Sequence, residues 1–129
     1  MKNIHLASLD QQALQQFVAY LYNTVSGEVK HIALFGSKAR GDSQRGSDID
    51  VLVILQSEDR ELRRKIIRQA ARISLEYDVL LSPRVIGAER WNEMRGFSLY
   101  QNVEKEAADL EIVGGELSLG MEREGLSVG

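Results

Sequence analysis

The chain has 129 residues, with 16 Lys and Arg against 19 Asp and Glu, a formal net charge of -3 at pH 7 and no cysteine. This length is enough for one domain with a hydrophobic core, and the lack of cysteine excludes a disulfide framework, thiolate zinc sites and a cysteine nucleophile. The mildly acidic balance argues against direct nucleic-acid binding driven by charge. No apolar run approaches the length of a membrane span, and residues 1–10 lack a signal-peptide core, so we expect a cytoplasmic protein with no membrane partner.

The first half of the chain predicts one helix and two strands around a polar loop. Apolar residues at helical spacing predict a helix from about Leu9 to Val25, and the run from Val29 to Phe35 is typical of a strand. Residues 36–47 contain three glycines and several charges, which indicates a loop with room for one helical turn. The segment from Asp48 to Leu55 is apolar on both faces, as expected for a central, buried strand.

The second half predicts a long helix followed by shorter elements. An apolar stripe predicts a helix from about Glu58 to Glu76. An apolar strand is expected from Asp78 to Ser82, ended or moved to the sheet edge by Pro83. Three further elements are expected: helices at Ala88–Met94 and Phe97–Ala107, and a last strand at Leu110–Val113.

This order of elements indicates an α/β (α+β) domain with a small mixed β-sheet flanked by helices. We expect the domain to span residues 1–113. Five of the 11 glycines lie at positions 114–129, where no helical or strand period persists, so this segment is predicted to be a flexible, acidic, Gly-rich tail.

Acidic residues open the central strand. Asp48 and Asp50 lie two residues apart, so their carboxylates leave the strand on the same face. Such a pair at an open strand end suits Mg²⁺, which takes few carboxylates together with water and substrate phosphates. Upstream, Gly36 and Ser37 form a turn whose backbone N–H groups and hydroxyl can cradle phosphate oxygens.

A third acid, Asp78, opens the next predicted strand after the helical crossover. If both strands start at similar heights in one sheet, its carboxylate converges with those of Asp48 and Asp50. Three such acids would repel one another, and two Mg²⁺ ions about 3.5 to 4 Å apart would relieve that repulsion.

Basic residues lie on the loop between the Gly-Ser turn and the acidic pair: Lys38, Arg40 and Arg45. Their charges can steady the phosphates of a nucleotide. An equally good interpretation is that they are solvated loop charges.

The pattern Gly36-Ser37, ten intervening residues and Asp48-x-Asp50 resembles the signature of the nucleotidyltransferase superfamily related to DNA polymerase beta. Within it, residues 36–53 resemble the minimal nucleotidyltransferase (MNT) proteins of prokaryotes, and the resemblance extends from about residue 29 to residue 110. That family usually has Glu-Gly before its last strand, where this chain has Glu106-Ala107.

The resemblance implies a polymerase beta-like fold and a set of residue roles. Gly36 and Ser37 would contact the triphosphate of ATP. Asp48 and Asp50 would hold two Mg²⁺ ions, and Asp78 would help to activate the acceptor hydroxyl. The implied reaction transfers AMP to that hydroxyl with loss of pyrophosphate.

The acceptor is also a matter of resemblance. A predicted core this small has no added helical domain to hold an acceptor, and the chain resembles MntA-type antitoxins, whose partner is a co-encoded helical HEPN-domain toxin. This resemblance implies adenylylation of a toxin tyrosine as the neutralising step. Two alternatives stay open: adenylylation of a small hydroxylated molecule such as an aminoglycoside, and a non-catalytic antitoxin that acts by binding.

A basic group on the second long helix is expected to be a solvated surface. Its members alternate with Glu58, Asp59 and Glu61, which favours solvation over a partner site. The group consists of Arg60, Arg63, Arg64, Lys65 and Arg68.

Overall fold

A computed structural model of the chain describes residues 6–41 and 46–120. In chain order the elements are α1 (Ser8–Thr24), a 3₁₀ turn (Ser26–Glu28), β1 (Val29–Phe35), α2 (Ser37–Arg40), β2 (Ile49–Leu55), α3 (Arg60–Tyr77), β3 (Leu81–Gly87), α4 (Ala88–Glu93), α5 (Ser98–Glu106), β4 (Ala108–Val113) and β5 (Glu116–Gly120). The strands form one mixed sheet in the order β3-β2-β1-β4-β5. Within the described ranges, no helix is both long enough and apolar enough to cross a membrane.

The start of β2 is enclosed by its two neighbouring strands. β1 runs antiparallel to β2 and pairs Phe35 with Asp50, so β1 ends where β2 begins. β3 runs parallel to β2 on its other side and pairs Ser82 with Asp50. A parallel pair needs a long crossover connection, which α3 provides. Three strand ends therefore meet at one edge of the sheet.

Alternate side chains of β2 pack into two hydrophobic clusters, one on each face of the sheet. Val51 and Val53 pack with α1 and α3, whereas Leu52 and Ile54 pack with Trp91 and the α4–α5 side. All five of these side chains are fully buried. Burial on both faces confirms the prediction of a central strand and holds its amino end rigidly.

The structure confirms the mixed sheet flanked by helices, but one strand begins later in the chain than predicted. Of the residues predicted as a strand from Asp78 to Ser82, Asp78 is the C-cap of α3, and β3 begins only at Leu81. Asp78 caps α3 in the left-handed conformation, with φ 54° and its backbone N–H bonded to the Ser74 carbonyl. Aspartate tolerates this conformation. Asp78 therefore ends the helix α3 and does not begin a strand, as had been predicted. Pro83 lies in β3, which is an edge strand as predicted.

The predicted tail is also corrected in part. Residues 116–120 form β5, which pairs antiparallel with β4 through a turn at Gly114 and Gly115. Both glycines have positive φ, 59° and 82°, as a two-residue hairpin turn requires. Leu117 and Leu119 of β5 pack against the core. The domain therefore extends past residue 113, and residues 121–129 lie outside the described ranges.

A buried serine joins the end of α3 to the start of β3. The Ser74 hydroxyl donates to the Ala70 carbonyl at 2.7 Å and accepts from the Leu81 backbone N–H at 3.0 Å. Because Leu81 is paired with Ile49, this contact helps to set the level of β3 beside the start of β2.

Replacing this serine should destabilise the fold. Ser74→Ala leaves the buried Leu81 N–H without its acceptor, and we expect the free energy of unfolding to fall by about 1–3 kcal/mol. Urea unfolding followed by circular dichroism measures the change. Ser57→Ala is the matched control, because Ser57 is exposed and makes no hydrogen bond within the described residues. Equal unfolding midpoints for both variants would contradict the assigned role.

Candidate active site

An acidic pair lies at the edge where β1 ends and β2 begins. Asp48 is exposed just before β2, and Asp50 is half-buried as the second residue of the strand. Burial raises the pKa of Asp50, and the negative charge of Asp48 raises it further. The two carboxylates therefore interact, as their spacing predicted.

Gly36 packs directly against Asp50. Its φ is 75°, a conformation that favours glycine. A Cβ atom built on Gly36 would overlap Oδ2 of Asp50 and lie 3.2 Å from its Cγ. The residue before α2 must therefore be glycine if Asp50 is to keep its position. The next residue, Ser37, is half-buried and begins α2.

Arginines on two different elements act on Asp50. The positive charges of Arg84 and Arg40 both lower the pKa of Asp50, against the effects of burial and Asp48. Arg84 belongs to β3 and pairs with Leu52 in the sheet, so it lies on the same face as Asp50, two positions along. It also borders an open pocket of about 340 Å³ with Arg90, Met94 and Leu99 of the α4–α5 side.

The structure contradicts the predicted convergence of three acids. Asp78 lies at the end of α3, three residues before β3, and the β3 residue that pairs with Asp50 is Ser82. In the ranges 6–41 and 46–120, no three His, Asp or Glu side chains are grouped closely enough to hold a metal. Asp78 instead lines a cleft of about 820 Å³ together with Ser47. Its predicted placement failed because Asp78 is the C-cap of α3 and β3 begins only at Leu81.

The predicted phosphate-binding cations on α2 have protein partners. Lys38 is buried, and its Nζ lies 2.9 Å from Oδ2 of Asp10 on α1. Arg40 is exposed, and its Nη1 lies 3.1 Å from Oε2 of Glu106 on α5. Both ion pairs fasten the single turn of α2 to the helices on either side. Arg45 lies outside the described residues.

The donor set at this edge fits a divalent cation. Two neighbouring carboxylates repel each other, and a cation that binds between them relieves that repulsion. Mg²⁺ usually takes one or two protein carboxylates and fills its other positions with water and substrate phosphates. Asp48 and Asp50 supply that number of carboxylates, with the Gly36-Ser37 turn next to them for phosphates.

Comparison with known proteins agrees with this geometry. Residues 14–110 match the family described as the nucleotidyltransferase domain, and this span contains Gly36, Ser37, Asp48, Asp50 and Asp78. The chain belongs to the nucleotidyltransferase domain family. The resemblance found in the sequence is thereby confirmed.

Curated relatives of this nucleotidyltransferase come from Methanocaldococcus jannaschii and are named as protein adenylyltransferases. MJ0141 is 36% identical over 73 residues, which cover 56% of this chain and 74% of the relative. MJ0604 is 33% identical over 97 residues, which cover 75% of this chain and 93% of the relative.

Solved structures share the fold of this nucleotidyltransferase. A crystal structure of a toxin–antitoxin complex with AMP-PNP matches with a TM-score of 0.50 and 22% identity, over 74% of this chain and 70% of that chain. A mutant of the toxin–antitoxin pair MntA–HpeT matches with a TM-score of 0.51 and 21% identity, over 78% of this chain and 73% of that chain. At this level of identity the likeness supports the fold alone.

Sequence reasoning missed the contribution of Arg84, whose positive charge lowers the pKa of Asp50. Its relation to Asp50 depends on the register between β2 and β3, which the sequence does not specify. Asp10 and Glu106 were missed as well, because each lies far along the chain from its partner on α2.

Substitution of Gly36 should remove activity without unfolding the protein. Gly36→Ala forces either Asp50 or the turn to move, and a displacement of about 1 Å can lower the rate about 100-fold. The rate of nucleotidyl transfer measures the effect. Gly27→Ala is the matched control, because a Cβ atom at Gly27 would meet no other atom of the described residues within 4 Å. An active Gly36→Ala variant would show that the close contact with Asp50 is dispensable.

Neutralising Asp50 should stabilise the metal-free protein. Its pKa is raised in the folded state, so the fold holds the proton more tightly than the unfolded chain and ionisation of Asp50 opposes folding. In EDTA at pH 7, Asp50→Asn should therefore raise the free energy of unfolding. The gain should vanish as the pH falls through the folded pKa to the unfolded value near 4. Urea unfolding at pH 7 and near pH 4 tests this prediction, with the exposed Glu93→Gln variant as control. A loss of stability of Asp50→Asn at pH 7 would contradict it.

Proposed function

We propose that this nucleotidyltransferase transfers AMP from ATP to a tyrosine hydroxyl of a co-encoded helical HEPN-type toxin and so acts as its antitoxin. The observation that carries the proposal is the packing of Gly36 against Asp50, with Asp48 beside it. This arrangement maintains an acidic pair next to a turn that is open to phosphate. The naming of the curated relatives as protein adenylyltransferases supports a protein acceptor, and the toxin–antitoxin neighbours suggest its kind.

The chain's own residues would bind and orient the nucleotide. The absence of a side chain on Gly36 lets a phosphate approach the backbone, and the Ser37 hydroxyl lies beside it to donate a hydrogen bond. Asp48 and Asp50 would hold Mg²⁺, which when bound neutralises phosphate charge in the transition state. Arg84 would add positive charge on the Asp50 side. Positioning and charge neutralisation provide most of the rate enhancement in such transfers.

The acceptor would approach from the cleft beside the acidic pair. Ser47 lines this cleft and directly precedes Asp48, so the cleft opens next to the site. Asp78 also lines it, and we assign Asp78 to contact with the acceptor hydroxyl rather than to the metal. In the reaction the hydroxyl oxygen attacks the α-phosphorus of ATP, loses its proton, and displaces pyrophosphate.

A purely binding antitoxin is a weaker hypothesis on electrostatic grounds. Burial and Asp48 both raise the pKa of Asp50, so keeping the two carboxylates together opposes folding at neutral pH. A protein that inhibits only by covering its partner gains nothing from that destabilisation. A catalyst does gain from keeping the two carboxylates together, because they bind the cation that its reaction needs.

Transfer of labelled AMP tests the proposal. The protein and the protein encoded beside it are incubated with Mg²⁺ and ATP labelled at the α-phosphate, and label is located by gel and intact mass. We expect label on a tyrosine of the partner, loss of partner toxicity, and loss of both when Asp48 and Asp50 are changed to Asn. EDTA should abolish the label, because without Mg²⁺ the two carboxylates repel the phosphates of ATP.

The other outcomes identify the alternatives. Neutralisation of the toxin by the Asp48→Asn, Asp50→Asn double variant would replace catalysis with inhibition by binding. Label on an added aminoglycoside and on no protein would replace the protein acceptor with a small hydroxylated molecule.

A further inference from the structure

The outward side of α3 carries a row of arginines. Positions that are four residues apart on a helix are neighbours on its surface. Here four such positions hold arginine, and all four side chains are exposed: Arg60, Arg64, Arg68 and Arg72. Within the described residues, none of the four makes a hydrogen bond or ion pair. We call these residues the arginine row.

An apolar row lies beside the arginine row. Ile67, Ala71 and Leu75 also follow one another at intervals of four and are exposed. Ile67 is 45% exposed and Leu75 is 86% exposed, the largest exposure among the large hydrophobic side chains of the described residues. Leu75 is a surface neighbour of Arg72, three positions earlier. The two rows together form one amphipathic surface on the side of α3 that faces away from the sheet.

The fold does not require this surface. α3 is anchored by its opposite side, where Leu62, Ile66, Ala70 and Ile73 are buried. Its amino end is capped by the Asp59 side chain, which accepts from the Leu62 N–H at 3.0 Å. Like charges four residues apart destabilise a helix, and cations near its amino end oppose the helix dipole. The four arginines therefore repel one another along the helix, and no ion pair among the described residues offsets that repulsion.

We propose that the arginine row and the apolar row form the docking surface for a protein partner that presents an acidic, amphipathic helix. Carboxylates on such a helix would pair with the arginines, and its apolar side chains would cover Leu75 and Ile67. The apolar row favours a protein over a nucleic acid as the occupant, because a phosphate backbone would leave the exposed side chains of Leu75 and Ile67 uncovered. The inference rests on the proposed function in one respect: the partner is the protein that receives AMP.

Variants on α3 and on the other layer of helices test the surface. Arg64→Glu with Arg68→Glu reverses the middle of the arginine row, and Leu75→Ser removes the apolar contact. The matched control is Arg95→Glu with Lys105→Glu, which reverses two exposed cations at α5 and the turn before it. Thermal melts establish that each variant folds, and titration calorimetry measures its affinity for the co-encoded protein.

We expect the α3 charge reversal to weaken binding at least about tenfold, since like charges across an interface are strongly unfavourable. Leu75→Ser should weaken binding severalfold, and the control should stay within about twofold, because Arg95 and Lys105 lie away from the proposed docking surface. Added NaCl should reduce the effect of the charge reversal and leave that of Leu75→Ser unchanged, because only the charged contacts are screened.

The outcomes separate this inference from the proposed function. Wild-type affinity in both α3 variants would overturn the docking surface, even if AMP transfer occurs. Failure of the wild-type protein to bind its co-encoded neighbour would overturn it too. Loss of binding to a single-stranded RNA probe, with partner binding unchanged, would assign the surface to nucleic acid instead. Binding that is lost in the α3 variants without any AMP transfer would uphold docking and reject the catalytic proposal.

Discussion

The contact between Gly36 and Asp50 is the constraint on which the site depends. Antiparallel pairing of β1 with β2 brings Phe35 opposite Asp50, so the turn after β1 must pass over that carboxylate. Only a residue without a Cβ atom fits there. The same lack of a side chain leaves the backbone accessible to a phosphate. One steric requirement thus serves both the fold and the chemistry.

The surrounding structure holds the turn in this position from both sides of the sheet. Lys38 pairs with Asp10 on α1, and Arg40 pairs with Glu106 on α5, although α2 itself is only one turn long. A short helical turn has little stability alone, so these ion pairs keep it in place. Lys38 and Arg40, two of the cations predicted to bind phosphate, make these ion pairs, and Arg40 also lowers the pKa of Asp50.

The sequence predicted what depends on local patterns. The apolar runs of β1 and β2 and the Gly-Ser and Asp-x-Asp motifs were found because their information lies within a few residues. Asp78 was misplaced because an Asp before an apolar run is typical of both a helix stop and a strand start. The Gly114-Gly115 turn has a recognisable hairpin signal, which the Gly-rich composition of the segment obscured. Arg84 could not be predicted, since its place beside Asp50 follows from the register of two strands joined by a long helix.

The docking surface and the site meet at the end of α3. Leu75 lies three residues before Asp78, which caps the helix and lines the cleft beside Ser47. A partner that lies along α3 would therefore lead toward the cleft and the acidic pair. Such an arrangement separates recognition from chemistry, because affinity comes from the helix surface and the cleft needs only to accept one side chain. It also explains how the cleft can select its acceptor, because a docked partner brings its own hydroxyl to the cleft at a high effective concentration.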